Sequence, residues 1–486
     1  MRGKRPAGTL VPSVRTMNLA RASGLLFAVE LLNTALGFLS TVYFARELGA
    51  TLLGVFFLFE ATLYTMATVV DFGLRGAVEK RVSAGTDPAR MFGAGIVLKA
   101  ALVVVVGAVV LALRDPIAAY VGADLALELV AVVVVFEFSM LCIHVLQGEL
   151  RAGQTAVLHF ARSLTYVLVA VTLLQFGFGV RALVYALLVS YTLLLVGAAA
   201  RLQTPVARPG WRHVRSLYDY AKFNGIWGLG GHVYNWMDVI VIGFFLSQAA
   251  VGAYELAWRL TTMTVMFSTV FAKVLFPQLS VFEAHGARDR LTDLLSEGIT
   301  ASLLLVVPSV VGIALLSEQI LGVVFGPEYA IAAAAFVVLS VEKLAQAVNV
   351  VLDKGIQALD RPVYGAAATV VSLSLNVVLN VLLVPRFGLV GAAAATLLSM
   401  VVNTLLLGVF LSGLVPIRFP ARDVAWLVVA SLVMGFGLSG LLEAVPVETP
   451  FTLLVAIVVS GVVYAAATLA SPSLREKVIS NVRAAL

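Results

Sequence analysis

The chain has 486 residues, of which 61% are hydrophobic and 12% are charged, and its formal net charge is +6. An ordinary soluble domain has about 25% charged residues, so this composition excludes a soluble enzyme and leaves no basic domain for a nucleic acid to bind. The apolar residues form blocks of about 20, the length that a helix needs to cross a bilayer. The sequence therefore predicts an all-α polytopic membrane protein.

Fourteen transmembrane helices are predicted from the hydrophobic runs. The basic segment before them, residues 1–21, has no small-residue cleavage site, so we expect a retained tail rather than a signal peptide. The first seven spans are predicted at residues 24–44, 54–74, 91–113, 127–147, 155–177, 180–200 and 223–246. The other seven are predicted at residues 250–276, 299–316, 330–352, 363–384, 389–411, 424–442 and 451–470.

The distribution of Lys and Arg predicts the orientation, because basic loops stay on the cytoplasmic side of a membrane. With the amino terminus inside, the external loops hold only four of the 33 basic residues, namely Arg46, Arg114, Arg181 and Arg386. We therefore expect a protein of the cell membrane with both termini in the cytoplasm. The polar segment 201–222 is predicted to be a cytoplasmic linker, part of which could lie on anionic headgroups as an amphipathic helix.

About ten charged residues fall inside the predicted spans: Glu30, Glu60, Lys99, Glu137, Arg162, Asp238, Glu255, Arg259, Glu342 and Lys343. Each would cost roughly 2.5 to 3.5 kcal/mol at the bilayer centre, so they cannot all face lipid. Helical spacing aligns them with other polar groups in stripes. The clearest stripes are Glu342, Gln346, Asn349 and Asp353; His232, Asn235 and Asp238; and Glu255, Arg259 and Thr262. These polar faces predict a shared aqueous interior.

Some of these groups also have a simpler structural interpretation. Asn and Ser stripes more often join neighbouring helices than bind ligands, which applies to Ser372, Asn376, Asn380, Ser399 and Asn403. Glu255 and Arg259 could simply neutralise each other, and Asp71 with Arg75 is expected to be a structural pair at a helix end. The single Cys142 permits no internal disulfide, and the five histidines lack metal-ligand spacing, so we expect no metal and no cofactor.

An internal repeat indicates two related halves. Residues 43–58 align without gaps on residues 241–256, which places Gly54 over Gly252, and residues 178–190 align on residues 387–399. Two six-helix lobes of parallel topology are therefore predicted, with a site between them. The expected divisions are an N-lobe at 22–200, a C-lobe at 223–412, two extra helices at 413–471 and a cytoplasmic tail at 472–486.

Several segments together resemble the oligosaccharide flippases, the polysaccharide-transporter branch of the multidrug, oligosaccharidyl-lipid and polysaccharide exporter superfamily. The segments are FARELGATLLGVFFL, DFGLRGAVEKRVSAG, VGAYELAWRL, ILGVVFGPEYAIAAAAF and NVVLNVLLVPRFGLVGAAAATLLS. The resemblance covers residues 20–412. It departs at the seventh span, where a proline is expected and YAKFNGIWGLGGH stands, which leaves the shape of that helix open.

The resemblance implies a flippase that moves polyprenyl phosphate- or diphosphate-linked oligosaccharides from the cytoplasmic to the external leaflet by alternating access. Its partners would be that substrate, membrane lipids, a coupling proton or sodium ion, and glycan-assembly proteins. The substrate-binding candidates are Arg259, Arg162, Lys99, Lys343, Glu255, Glu342, Gln346 and Asn349. The candidates for ion coupling are Glu30, Glu60, Glu137 and Asp238.

Two other functions stay open from the residues. Six embedded acids against four bases are compatible with a drug or cation antiporter of the multidrug and toxin extrusion type, and a lipid II flippase of the same superfamily also has two extra helices. A membrane enzyme is disfavoured, because the external loops are short and hold no partner set for catalysis. Within the site, we expect Glu342 to line the cavity with Gln346, and Lys343 to reach a neighbouring helix or the cavity edge.

Overall fold

The computed structural model describes the backbone of residues 19–472 and 474–475, and the side chains of residues 32–221, 234–472 and 474–475. Helices make up almost all of this part. The helices of the first half are α1 (Leu19–Asp71), α2 (Leu74–Ser83), α3 (Pro88–Ala112), α4 (Arg114–Val121), α5 (Ala126–Gly148), α6 (Ala152–Gln175) and α7 (Val180–Ala199).

The second half continues in the same way, with two short irregular helices before α12. Its elements are α8 (Trp211–Phe245), α9 (Gln248–Ala284), α10 (Arg288–Leu303), α11 (Val306–Gln319), a π-helix (Ile320–Phe325), a 3₁₀-helix (Pro327–Ala332), α12 (Ala333–Ala358), α13 (Pro362–Ser412), α14 (Ala421–Ala444) and α15 (Pro450–Leu469). The prediction of an all-α polytopic membrane protein is confirmed.

The 51-residue helix α13 is a hairpin of two arms rather than one rod. Its backbone leaves helical geometry at Gly388, where φ is 58°. The Asn376 amide donates to Thr396 Oγ1 at 3.1 Å, although 20 residues of straight helix would span about 30 Å. The arms on either side of Gly388 match the predicted spans 363–384 and 389–411.

Helix α1 is divided in the same way at Gly49, whose φ of 72° favours glycine. Residues from both sides of this break, such as Asn33 and Glu60, line one cavity, so its two arms lie side by side. Eleven helices in the described residues are long and apolar enough to cross a membrane. Dividing α1 and α13 into arms and adding the seventh span in α8 reproduces the predicted fourteen.

The segment 201–222 differs in part from the expected linker. Helix α8 begins at Trp211 and runs without a break into the seventh span. The residues before it are held against the first half by the Glu149 carboxylate, which accepts from the backbone N–H of Gln203 at 3.0 Å and of Thr204 at 2.7 Å. Burial disfavours the charged form, but these donors outweigh it, and the pKa of Glu149 is lowered.

The two halves meet tightly at one end of the bundle, here named the closed end. A Cβ atom on Gly54 in α1 would lie 1.7 Å from the Gln248 carbonyl oxygen, and one on Gly252 in α9 would lie 2.2 Å from the Ala50 oxygen. The Arg46 guanidinium donates to the Val323 and Val324 carbonyls of the π-helix at 2.6 and 2.9 Å. Backbone-to-backbone contact therefore shuts the space between the halves at this end.

Helices α14 and α15 pack together and against α10, α11 and the π-helix. None of their described residues lines the cavity that contains Arg259. This position outside that cavity is consistent with their sequences, which contain few polar residues, because helices without a polar face can contact lipid rather than water.

Gly54→Val should open the closed end. The added side chain must displace the Gln248 backbone, and overpacking of about 1 to 3 kcal/mol shifts an equilibrium about 5- to 150-fold. We expect a cysteine placed at Thr41, in a Cys142→Ser background, to react faster with a membrane-impermeant thiol reagent added at the closed-end face. Gly437→Val in α14 is the matched control, because no atom lies within 4 Å of its Cβ position. Equal labelling of both variants at equal membrane abundance would contradict this account.

Candidate functional site

A cavity of about 1020 Å³ lies between the two halves. We name it the central cavity; α1, α8, α9, the π-helix and α12 contribute to its wall. Its polar lining includes Thr34, Thr41, Asn235 and Gln346, and two tryptophans, Trp236 and Trp258, supply aromatic surface. Its volume is at the upper end of the roughly 300–1,000 Å³ range of ligand pockets, so it can hold a polar headgroup of several rings.

Arg259 joins the halves across this cavity. Its Nε donates to Glu255 Oε1 on the same helix at 2.7 Å, and its Nη2 donates to Glu60 Oε2 on α1 at 3.0 Å. The guanidinium also lies over the Phe57 ring, 4.5 Å from its centroid. The predicted pair with Glu255 is present, whereas Glu60 as a second partner was not predicted, since it lies 199 residues away.

A smaller cavity of about 220 Å³ adjoins the central cavity, and Arg259 borders both. We name it the inner cavity. Arg162 from α6 borders it, donates to Ser163 Oγ at 3.1 Å and lies over the Tyr191 ring at 5.1 Å. The two carboxylates Glu60 and Glu255 thus face two guanidiniums, so the charges of this cluster balance.

Lys99 lies elsewhere, in a quartet of charges in the first half, two of them buried and two partly exposed. Its Nζ contacts Asp71 Oδ1 at 2.8 Å and also Glu137, which in turn contacts Arg75. The expected pair of Asp71 and Arg75 is present at 3.2 Å. Lys99 and Glu137 are fully buried. Two positive and two negative charges make the quartet neutral, which removes most of the cost of burying them.

Glu342 and Lys343 are both fully buried in α12 and border neither cavity. Their charged atoms lie 2.8 Å apart, and Lys343 Nζ lies 3.8 Å from the centroid of the Trp258 ring. The Tyr234 hydroxyl donates to Glu342 at 3.3 Å. Lys343 reaches a neighbouring helix as expected, but Glu342 does not line the cavity in this conformation, because its own neighbour and Tyr234 hold it in the helix interface.

The Asp238 carboxylate is buried among uncharged donors. It accepts from Asn380 Nδ2 at 2.9 Å, from Thr396 Oγ1 at 2.7 Å and from the Tyr254 hydroxyl. Among the residues with described side chains, no Lys, Arg or His lies within salt-bridge distance of it. Its hydrogen-bond partners among the described residues are thus all uncharged, unlike those of the ion-paired Glu60, Glu137, Glu255 and Glu342.

A third cavity, of about 260 Å³, lies within the second half, and most of the residues that border it have an amide or hydroxyl side chain. Asn349, Ser372, Asn376, Ser399 and Asn403 border it, and Gln346 borders both this cavity and the central one. Asn403 donates to Ser372 Oγ at 3.0 Å. This bond and the one from Asn376 to Thr396 join the two arms of α13, as the simpler interpretation of the Asn and Ser stripes expects.

The structure thus separates the predicted site residues into groups. Those that border the central, inner or third cavity are Arg259, Arg162, Glu255, Glu60, Gln346 and Asn349. Those buried away from these cavities are Lys99, Lys343, Glu342, Glu137 and Asp238. The side chain of Glu30 lies outside the described residues. A substrate role for the buried group stays a prediction, which would need another conformation. No cluster of three or more metal-binding side chains occurs in the described part of the chain.

The sequence profile of the family described as polysaccharide biosynthesis protein matches residues 44–334. The chain belongs to this family. It is 40% identical over 375 residues to a probable low-salt glycan biosynthesis flippase of Haloferax volcanii, covering 77% of this chain and 79% of the relative. It is 30% identical over 379 residues to a probable flippase of the same organism, with the same two coverages.

Two solved structures have a fold similar to that of this chain. A lipid II flippase in an inward closed conformation matches with a TM-score of 0.80, covering 92% of this chain and 98% of that one, at 14% identity. An inward-facing multidrug resistance transporter, described as a member of the MOP superfamily, matches with a TM-score of 0.65, covering 79% of this chain and 95% of that one, at 17% identity. At these identities the likeness is one of fold.

Replacing Lys99 should lower the stability of the folded protein and should not act directly on substrate binding. Lys99→Met leaves the buried Glu137 and the partly exposed Asp71 facing only Arg75, and removing one partner of a buried ion pair costs about 3 to 5 kcal/mol. We expect a large fall in thermal stability of the purified protein, partly recovered in Lys99→Met/Glu137→Gln. Lys354→Met, which removes a partly exposed lysine, should cost below about 1 kcal/mol. A fully stable Lys99→Met protein that fails only in transport would instead indicate that Lys99 binds the substrate.

Proposed function

We propose that this chain is a flippase for lipid-linked oligosaccharides, and that it carries out transport without chemical catalysis. Its relatives of 40% and 30% identity are described as flippases, and the first of them is named for glycan biosynthesis. The observation that carries the proposal is Arg259, which is a cation between the two halves inside a cavity large enough for a polar headgroup.

The phosphate of a polyprenyl-linked oligosaccharide is a suitable ligand for Arg259. A guanidinium can bind one phosphate through two parallel N–H bonds, and these would use the Nε and Nη2 donors that now bond one to Glu255 and one to Glu60. A bound phosphate would compete with Glu60 for Arg259. Since Glu60 belongs to the first half and Arg259 to the second, this competition would weaken one contact that holds the halves together.

Alternating access follows from that competition. Substrate binding would weaken the Glu60 bridge, the halves would rock apart at the closed end, and the headgroup would leave on that side. Lys and Arg are scarce in the loops at the closed end, which supports placing it outside the cell and both termini in the cytoplasm. Transport would then run from the cytoplasmic to the external leaflet of the cell membrane, towards glycan-assembly proteins.

Asp238 is our candidate for coupling this cycle to a proton or a sodium ion. A buried carboxylate bonded to neutral donors gains most from a cation, and no Lys or Arg with a described side chain forms an ion pair with Asp238. Glu60 and Glu137 are ion-paired in this conformation and would first have to lose their partners. A drug or cation antiporter would share the fold but has no support from the named relatives.

Arg259→Gln should abolish transport while leaving the protein folded. The variant loses the charge-assisted bonds to phosphate, each worth about 1.5 to 3 kcal/mol, so substrate affinity should fall at least about tenfold. Glu255→Gln keeps the cation and should retain substantial binding. The measurement is leaflet translocation of lipid-linked oligosaccharides in proteoliposomes, alongside thermal stability. A well-folded Arg259→Gln protein that flips at the parental rate would end the proposal.

Asp238→Asn should uncouple transport from its driving ion. Flipping by the parental protein is expected to accelerate when either a sodium or a proton gradient is imposed across the vesicle membrane, because the ion would bind the charged Asp238 carboxylate. Asp238→Asn should lose that acceleration. Thr396→Val removes one donor and keeps the acid, so it should retain the acceleration, and for protons at a lower concentration, because a bond that stabilises the charged carboxylate is lost. A full response to the gradient in the Asp238→Asn protein would remove this residue from the coupling step.

A further inference from the structure

One face of α9 carries a line of residues along the central cavity. Arg259, Thr262, Met266, Thr269 and Lys273 follow each other at helical spacing, and all five border the cavity. Lys273 lies 14 residues beyond Arg259, which corresponds to about 21 Å of helix. One diphosphate cannot contact both residues at once, so the two cations mark separate positions along one wall.

The depths of the two cations differ. Counted from Gln248 at the closed end, Arg259 lies about 16 Å along α9 and Lys273 about 38 Å along it. The hydrocarbon core of a bilayer is about 30 Å thick. Arg259 is thus near the middle of the membrane, whereas Lys273 is at the level of the headgroups in the leaflet opposite the closed end. That level is where the phosphate of a lipid carrier lies before transport.

The two cations also differ in their partners. Arg259 is held by two carboxylates, and Arg162 in the inner cavity faces Glu60. Lys273 is exposed and has no hydrogen bond or ion pair with any described residue. Of the three charged residues that line the described wall of the central cavity, Lys273 alone carries a charge that no neighbour balances.

We propose that Lys273 is the loading contact of the transporter, the first group to bind the phosphate of an incoming lipid-linked substrate. This inference rests on the proposed function and adds a step to it. The phosphate would bind Lys273 at headgroup level, then move along α9 to Arg259 and displace Glu60. A lysine suits a transient contact, since its ammonium is a point charge on a flexible stem.

A purely topological role for Lys273 makes a different prediction. Basic residues at the cytoplasmic ends of helices orient membrane proteins, and such a lysine need not affect ligand binding. Lys354 offers the matched control at the same end of the second half. It donates to Gln357 Oε1 at 2.8 Å, lies 3.9 Å from Asp353 and does not line the central cavity.

The test measures binding of farnesyl diphosphate to the full chain in nanodiscs at low and high salt, with farnesol as the uncharged control. A loading contact acts on encounter, so Lys273→Gln should slow association about 5- to 10-fold at low salt, with little change in dissociation. At high salt the difference should shrink, because an exposed charge is screened. Lys273→Arg should restore the rate, and Lys354→Gln should match the parental protein. Arg259→Gln should instead accelerate dissociation at both salt concentrations.

Each outcome decides a separate question. The proposal that Lys273 is the loading contact is wrong if farnesyl diphosphate associates with Lys273→Gln and Lys354→Gln at the same rate. It is also wrong if the parental protein binds farnesol as tightly as farnesyl diphosphate. If the parental protein binds farnesyl diphosphate with the expected salt dependence but translocates no lipid-linked oligosaccharide in proteoliposomes, the proposed function fails while Lys273 remains an anion contact.

Discussion

The arrangement of this protein depends on one backbone contact, where Gly54 in α1 meets Gly252 in α9. Neither position has room for a Cβ atom, so only glycine lets the two helices approach this closely. Phe57 and Glu60 follow on α1, and Glu255 and Arg259 follow on α9, within two turns of the contact. The helices are therefore still close together where Arg259 reaches Glu60, and the bridge between the halves follows from the glycines.

The buried charges are governed by neutrality. A charge in the membrane interior is costly, and the quartet around Lys99 and the pair of Glu342 and Lys343 each sum to zero. These groups are locked inside single halves of the chain. The Arg259 cluster is different because it crosses between the halves and borders the cavities. An anionic ligand can therefore replace a carboxylate as the partner of Arg259.

The excess of embedded acids is not evidence against an anionic substrate once the partners are known. Glu60 and Glu255 share Arg259, Glu137 shares Lys99 and Arg75, and Glu342 pairs with Lys343. Asp238 alone among the described embedded acids is held by neutral donors. Asp238 is thus separate from the wall along which we propose that the phosphate moves, and it suits a cation instead.

The sequence by itself determined the all-α membrane fold, the order of the spans, the repeat that equates Gly54 with Gly252, and the presence of Arg259 beside Glu255. These features are local, because helix length and residue spacing follow from composition and the 3.6-residue period. Only the tertiary structure decided that Glu60 completes the Arg259 bridge, that Glu342 is sealed from the central cavity, and that Lys273 lies on the wall of that cavity with no ion pair to a described residue. Contacts between helices that are far apart in the chain depend on how the whole bundle packs, which spacing within one helix does not encode.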